Sequence, residues 1–416
     1  MTRPRTVGTS LLAIACSAAV LAACSRTTAP ENPIDAAASR VALVQGVLSH
    51  WLAVAPTTSG LYRSQFGRDW TYKGPEPARI ELTVQSRLVY SMVIGYEVTK
   101  DRRYLDAARH GADFLLDHFH DPVQGGYFNV VSADGAVVSD AKRTYGHAFA
   151  VLALAHMARV TGEARYKTAA LAAWQETAMG LLDPHGGLFI ETSRNFARPP
   201  DNALRTQNPL MHMFEALLAL VDATDDPGAR RAARRLGDFV VGELMQGLPD
   251  GSARLPEWYD GNWKPLPTRE AGGYVDLGHQ FEWSHLLLRA ERLGISPVYG
   301  AVSDRLLQYA LAHGYDDIDG GAFDRLYPDG AVDRHKGYWE QAECLHALLA
   351  AASVNHKQEL WRRYEQTLQL VQKTLADPTH GGWYVDVCAH GSCGDDQPEP
   401  YHMVALYSAA LQAAGP

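Results

Sequence analysis

Histidine and carboxylate stand three residues apart in Gly278-His279-Gln280-Phe281-Glu282-Trp283. Ahead of them runs Arg269-Glu270-Ala271-Gly272-Gly273, and behind them the apolar Leu286-Leu287-Leu288. Glycine tolerates the backbone angles of a helix entry, so the stretch reads as a glycine loop opening a helix. His279, Glu282 and Leu286 then share one face. Imidazole titrates near neutrality, and a histidine and a carboxylate at the mouth of an inward-packed helix suit proton transfer in a pocket. The competing reading is a buried histidine satisfied by Glu282. The arrangement of the rest of the chain must decide between them.

That arrangement shows in the glycines. Gly60, Gly125-Gly126, Gly186-Gly187, Gly251, Gly320-Gly321 and Gly381-Gly382 recur roughly every 60–70 residues. Several sit in one setting: Asp-Pro-Val-Gln-Gly-Gly-Tyr-Phe from Asp121, Asp-Pro-His-Gly-Gly-Leu-Phe from Asp183 and Asp-Pro-Thr-His-Gly-Gly-Trp-Tyr from Asp377. The Gly60 and Gly251 copies are degenerate. Between the marks, 104–118, 147–160 and 166–182 carry apolar residues at helical spacing. The runs 211–221, 281–293 and 338–352 are apolar on most faces, as inner helices are. Aromatic and β-branched residues after the Gly-Gly pairs, such as Tyr127 to Val131 before Asp134-Gly135, predict small hairpins. One helix pair per repeat, six times, closes into an all-α (α/α)6 barrel, predicted here as a single domain over residues 41–416. An open α-solenoid is the alternative.

In such a ring the starts of the inner helices converge on a central pocket. They bring Arg87 from the first, Tyr145 and His147 from the second, and Asn208 and His212 from the third. The fourth brings His279 and Glu282, the fifth Trp339, Gln341 and Glu343, and the sixth His402. Each has a structural reading as an ion-pair partner, a core aromatic or a satisfied histidine. Together, planar hydrogen-bonding groups and aromatic faces suit a polyhydroxylated ligand, a sugar.

The N-terminus reads as an address. Arg3 and Arg5 precede an apolar run from Leu11 to Leu21, and Leu21-Ala22-Ala23-Cys24 follows. This is a secretory signal, and it resembles a bacterial lipobox. That predicts residues 1–23 as a lipoprotein signal peptide, lipidation of Cys24, and a flexible tether over 24–40. The protein is then expected at the periplasmic side of a bacterial membrane, touching it only through lipid. Hydrophobic residues at 46% and charged residues at 20% are ordinary for a soluble domain. A net charge of −9 without a basic run argues against nucleic acid as a partner. Cys388 and Cys393 bracket four residues; a disulfide loop and a zinc pair are both open, though no second Cys or His pair stands at a suitable spacing.

Taken in order, Asn208-Pro209-Leu210-Met211-His212, Gly278-His279-Gln280-Phe281-Glu282-Trp283, Trp339-Glu340-Gln341-Ala342-Glu343 and Tyr401-His402 resemble the N-acylglucosamine 2-epimerase family, which includes cellobiose 2-epimerases, mannose isomerases and sulfoquinovose isomerases. The resemblance spans all six repeats and implies the same barrel. It also implies a sugar 2-epimerase or aldose–ketose isomerase that moves a proton at C1 or C2 of an open-chain sugar through a cis-enediolate. No metal or redox cofactor is implied, and the protein is expected as a monomer or homodimer. The positions matching the catalytic pair are His279 and His402. Glu282 would orient His279, Arg87 would stabilise enediolate charge, Asn208 and His212 would hold hydroxyls, and Trp339 would stack on the ring. Arg269 stands where mannose and sulfoquinovose isomerases carry an arginine. Relatives often carry Lys or Arg shortly before the last Tyr-His, where this chain has Asp395-Asp396-Gln397-Pro398-Glu399; this departure argues against an anionic sugar. Two other classes stay open: a glycoside hydrolase on the same barrel, with paired carboxylates drawn from Asp276, Glu282 and Glu343, and a lipoprotein that binds sugar without turning it over.

Overall fold

The computed structural model describes residues 1–2, 34–388 and 391–415. Residues 3–33, which hold most of the expected signal segment and Cys24, the expected lipidation site, lie outside the described residues. The predicted tether is shorter than expected at its C-terminal end. Asp35 caps a helix through the Ala38 amide at 2.9 Å, and Ala36–Leu43 is already helical, with Leu43 buried.

Twelve helices follow among the described residues. Helix α1 comprises Ala36–Leu43, a π-turn at Val44–Leu48 and Ser49–Val54. Then come α2 (Leu82–Thr99), α3 (Arg102–Phe114, prolonged by a π-turn at Leu115–Phe119), α4 (Thr144–Thr161) and α5 (Ala164–Leu181). They are followed by α6 (Asn208–Thr224), α7 (Pro227–Phe239, prolonged by Val240–Leu244) and α8 (Leu277–Arg292). The last four are α9 (Tyr299–Gly314), α10 (Tyr338–Asn355), α11 (Gln358–Thr374) and α12 (Tyr401–Ala414). The even-numbered helices are buried on nearly every face, whereas α3, α7 and α11 keep one polar, solvated side. Each even helix packs on the next, and α12 packs back on α2. The ring is therefore closed, and the open solenoid is set aside. No helix among the described residues is long and apolar enough to cross a membrane.

The glycine period marks a repeated reversal. After each outer helix the chain turns back through an antiparallel bridge: Pro56↔Tyr62, His120↔Tyr127, Leu182↔Leu188, Gly247↔Ala253, Tyr315↔Ala322 and Ala376↔Trp383. The degenerate copies at Gly60 and Gly251 thus belong to the set. Gly126 shows why glycine recurs: its φ is +68°, and a Cβ there would lie 2.8 Å from His147 Nε2.

Two devices hold the inner helices by their N-terminal ends. In the first, the aspartate of the Asp-Pro motif and its Asp316 counterpart cap their own turns. Each also grips a cation in the segment leading to the next inner helix: Asp121–Lys142 at 3.1 Å, Asp183–Arg205 at 2.6 Å and Asp316–Lys336 at 2.8 Å, with Asp377–Arg68 at 2.6 Å where the ring closes. The second is a collar of short antiparallel pairings. Residues just before each inner helix pair with the hairpin region of the following repeat: Arg79–Glu81 with Val130–Ser132, Lys142–Arg143 with Glu191–Thr192, Arg205–Thr206 with Trp258–Tyr259 and Val275–Asp276 with Arg325–Leu326. Single bridges Gly337↔Asp386 and Gly67↔Asp396 complete the circle.

Candidate active site

The inner-helix starts enclose a cavity of 610 Å³. Arg87, Tyr145, Asn208, His212, His279, Glu282, Trp339 and His402 all line it. They do so because the collar fixes every inner helix at its first turn, so residues from all six repeats face one space.

Helix α8 starts one residue after its cap. The Asp276 side chain accepts from the His279 amide at 3.1 Å. Gly272 and Gly273 lie in the loop before, so a carboxylate cap and not the glycine loop opens this helix. Gly278 sits inside the first turn, where a Cβ would meet the Trp339 ring at 2.6 Å. Glycine there lets that ring lie against His279, with centroids 5.1 Å apart.

The histidine's partner is not the one expected. His279 Nδ1 donates to Glu257 Oε2 at 2.8 Å, and Asp276 Oδ2 lies 3.7 Å away. Glu282, on the same helical face, makes no hydrogen bond to His279 and so does not orient it. Burial opposes charge on His279, but the Asp276 and Glu257 carboxylates outweigh it and push the imidazole up to about 10. Glu257 is secured by the Thr206 hydroxyl at 2.7 Å and the Gln207 amide at 2.5 Å, and Gln207 Oε1 accepts from the Trp283 indole at 2.5 Å. Asn208 lies 3.3 Å from His279 Nε2 through its amide nitrogen. Its Oδ1 is buried with no partner, and the flipped amide would give Nε2–H an acceptor.

His402 has its own carboxylate. Its Nδ1 donates to Glu343 Oε1 at 2.7 Å. Burial works against ionisation of Glu343, yet its imidazole partners hold it well below the usual carboxylate range. Trp339 stands between the two histidines, 5.1 Å from the His279 ring and 5.8 Å from that of His402.

Glu282 instead approaches His212 Nδ1 at 3.6 Å, and its Oε2 is buried without a partner. Burial, helped by the Glu343 charge, raises it well above the usual range, so it stands as a neutral acid. His212 is held down to about 4 by burial and is neutral. Arg87 reaches Glu399 at 2.9 Å and Tyr145 at 2.8 Å, with Phe149 and Tyr401 rings against its guanidinium. Burial disfavours its charge, but these neighbours keep it a firm cation. Glu399, part of the acidic departure before Tyr401-His402, therefore neutralises the pocket arginine.

Arg269 is not in the site. It is exposed in the Thr268–Gly273 loop and lies over the Tyr327 ring, 3.8 Å from its centroid. His147 and Gln341 are also structural. Each accepts from the chain just after a reversal, His147 Nε2 from the Tyr127 amide at 2.9 Å and Gln341 Oε1 from the Ala322 amide at 2.8 Å. Gln85 and Gln280 do the same for Tyr62 and Leu255, both at 3.0 Å. In four repeats one polar side chain near the inner-helix start is thus a strut, while a neighbour on the same helix faces the cavity. Glu257 and Gln207 escaped the sequence reading because neither lies in a periodic element beside His279. The only local mark of Glu257 was a carboxylate between Pro256 and Trp258.

Glu257, Asp276 and His279, and likewise His212, Glu215 and Glu282, bring ligand-type atoms within 4.8 Å of one another. In both sets the imidazole Nδ1 already faces a carboxylate, at 2.8 Å and 3.3 Å.

Residues 73–406 match the family described as N-acylglucosamine 2-epimerase (GlcNAc 2-epimerase). The chain is 26% identical over 354 residues to a D-mannose isomerase of Marinomonas mediterranea, covering 80% of this chain and 86% of that one. It is 24% identical over 368 residues to a cellobiose 2-epimerase of Eubacterium cellulosolvens, covering 82% and 88%. The solved structure of a cellobiose 2-epimerase from Bacillus thermoamylovorans superposes with a TM-score of 0.82 at 20% identity, covering 91% and 98%. At that identity it establishes the shared fold.

Proposed function

The chain belongs to the N-acylglucosamine 2-epimerase family, a family of sugar epimerases and isomerases, and from that premise we propose how its own residues act. The reaction is a proton shift at C2 of an open-chain aldose through a cis-enediolate, giving the C2 epimer or the ketose. The observation that carries this reading is the pair of buried histidines flanking Trp339 in one cavity, each bound to its own carboxylate.

The two are poised differently. His279, between Glu257 and Asp276, rests as an imidazolium and is the proton donor. His402 directs its Nδ1–H to Glu343, which leaves the Nε2 lone pair free, and is the base. In the forward direction the C2–H bond breaks, its proton passes to His402 Nε2, and the electron pair moves into the enediolate. His279 then delivers a proton to C2 or C1. Arg87, a buried cation on the cavity wall, faces the charge that develops on O1 or O2. Asn208 and His212 hold hydroxyls, neutral Glu282 offers a donor, and Trp339 supplies the face for the C–H side of the sugar. Because Glu399 already occupies Arg87, neutral sugars of the mannose, glucose, N-acylhexosamine or cellobiose kind fit better than anionic ones.

Proton NMR in deuterium oxide tests the proposal, with mannose, glucose, cellobiose and N-acetylmannosamine as substrates. Deuterium should enter C2 of the aldose and its epimer, or C1 of a ketose product, and either His279→Asn or His402→Asn should slow the exchange by roughly 10²–10⁴-fold. A ketose product names an isomerase, and a C2 epimer an epimerase. Glycoside cleavage without exchange would move the chemistry to the carboxylates, and sugar binding that survives both substitutions without turnover would make the protein a binder.

A further inference from the structure

His402 uses only one oxygen of Glu343. The other, Oε2, accepts from His285 Nε2 at 2.8 Å. His285 lies on α8 below the catalytic turn, 8% exposed, with its ring stacked on His346 at a centroid distance of 3.8 Å. Both rings line a second cavity, of 830 Å³, formed by the C-terminal halves of the inner helices. His346 Nδ1 is buried there without a partner. One carboxylate thus bridges two imidazoles, one in each cavity, across the floor of the site.

We propose that His285 is a positioning residue for His402, setting through Glu343 how basic the His402 imidazole is, from the side of the ring opposite the substrate. This rests on His402 being the base of the proposed reaction. No proton crosses the bridge; the two N–H donors share the charge of one carboxylate. With His285 donating to Oε2, Oε1 is the weaker acceptor for His402 Nδ1–H. Without that donor the charge gathers on Oε1, which strengthens its hold on the Nδ1–H and makes His402 Nε2 the stronger proton acceptor. His402 accepts a proton only when neutral, so the acid limb of kcat/KM moves to higher pH.

Other charged or titratable groups face this bridge: His212 and Glu215 on α6, Glu282 and Arg289 on α8, and His346 on α10. Arg87 on α2, His156 on α4 and Tyr401 on α12 complete the surroundings. All are unchanged when only residue 285 is replaced. They set where the limb lies and leave the difference between variants to His285.

The test compares the full-length protein with His285→Leu and His285→Gln, measuring kcat/KM for C2 deuterium exchange from about pH 5 to about pH 10. In His285→Leu the acid limb should rise by about one pH unit, a loss of about tenfold on that limb. His285→Gln keeps a side-chain N–H and should leave the limb near its original place. A limb that does not move, moves down, or moves equally in both variants overturns the inference. A second measurement needs no variant: ¹⁵N-histidine NMR should show His285 protonated at Nε2, and an Nδ1–H tautomer overturns the inference. Absence of exchange in the unsubstituted protein, or exchange persisting in His402→Asn, defeats the proposed function instead. Exchange that depends on His402 but ignores residue 285 defeats this inference alone.

Discussion

Glu257 is the residue on which the poise of the candidate site depends. Its carboxylate and that of Asp276 hold His279 protonated at neutral pH, with the imidazole at about 10. The sign of the pH dependence follows: a donor is lost as pH rises through that value, so kcat/KM should fall on an alkaline limb. In Glu257→Gln one of the two charges is gone, and an opposite charge at this range is worth about one to three units. The alkaline limb should therefore drop by at least about one pH unit, while the acid limb stays where it was. The same linkage acts on stability. A histidine raised from an ordinary 6.5 to about 10 contributes stability that is complete below about 6.5 and disappears as pH climbs through about 10. Urea denaturation of the unsubstituted protein should show this loss, and Glu257→Gln should show a smaller one.

At the level of elements, the site depends on how the inner helices are tethered. The Asp183–Arg205 pair is nearly inaccessible, with side chains 0% and 3% exposed, and it joins the turn after α5 to the segment that starts α6. Breaking one partner of a buried pair leaves the other charge uncompensated, at a cost of about 3–5 kcal/mol. Asp183→Ala should lower the denaturation free energy by that amount. It should also weaken sugar binding, since Thr206, Gln207 and Asn208 follow Arg205 directly and hold Glu257 or lie at His279. The exposed Arg143–Glu191 pair at the rim, with side chains 50% and 43% exposed, serves as the contrast. Glu191→Ala should change stability by less than about 1 kcal/mol.

For the whole molecule, the open question is where the barrel works. We propose that it is held at the periplasmic face of a bacterial membrane by lipid on Cys24. The lipobox-like Leu21-Ala22-Ala23-Cys24 motivates this, and Cys388 is paired with Cys393, with Cα atoms 5.9 Å apart, as suits an oxidising compartment. Cys24→Ala should shift the protein from the membrane pellet to the soluble fraction without changing its exchange kinetics. Retention in the pellet would remove the anchor from the account.

The closed ring was legible in the sequence because a helix pair that cannot bury its apolar face alone must repeat. The repeat leaves a glycine wherever the chain reverses too tightly for a Cβ. The two histidines, Arg87, Asn208, His212 and Trp339 were legible for a related reason: each is a polar or aromatic residue at the start of an otherwise apolar helix. Tertiary structure showed which such residues are struts and which face the cavity: Gln85, His147, Gln280 and Gln341 each stand fourth in their helix and hold a reversal, whereas His279 stands third in its helix and lines the cavity. It also paired His279 with Glu257 rather than Glu282, since the collar brings a residue from the preceding loop closer than a neighbour one helical turn away. Arg269 fell outside for the converse reason. Local sequence placed it ten residues before His279, but the loop turns it away onto Tyr327. Sequence spacing fixes which face of a helix a side chain occupies; what stands opposite is set by long-range packing.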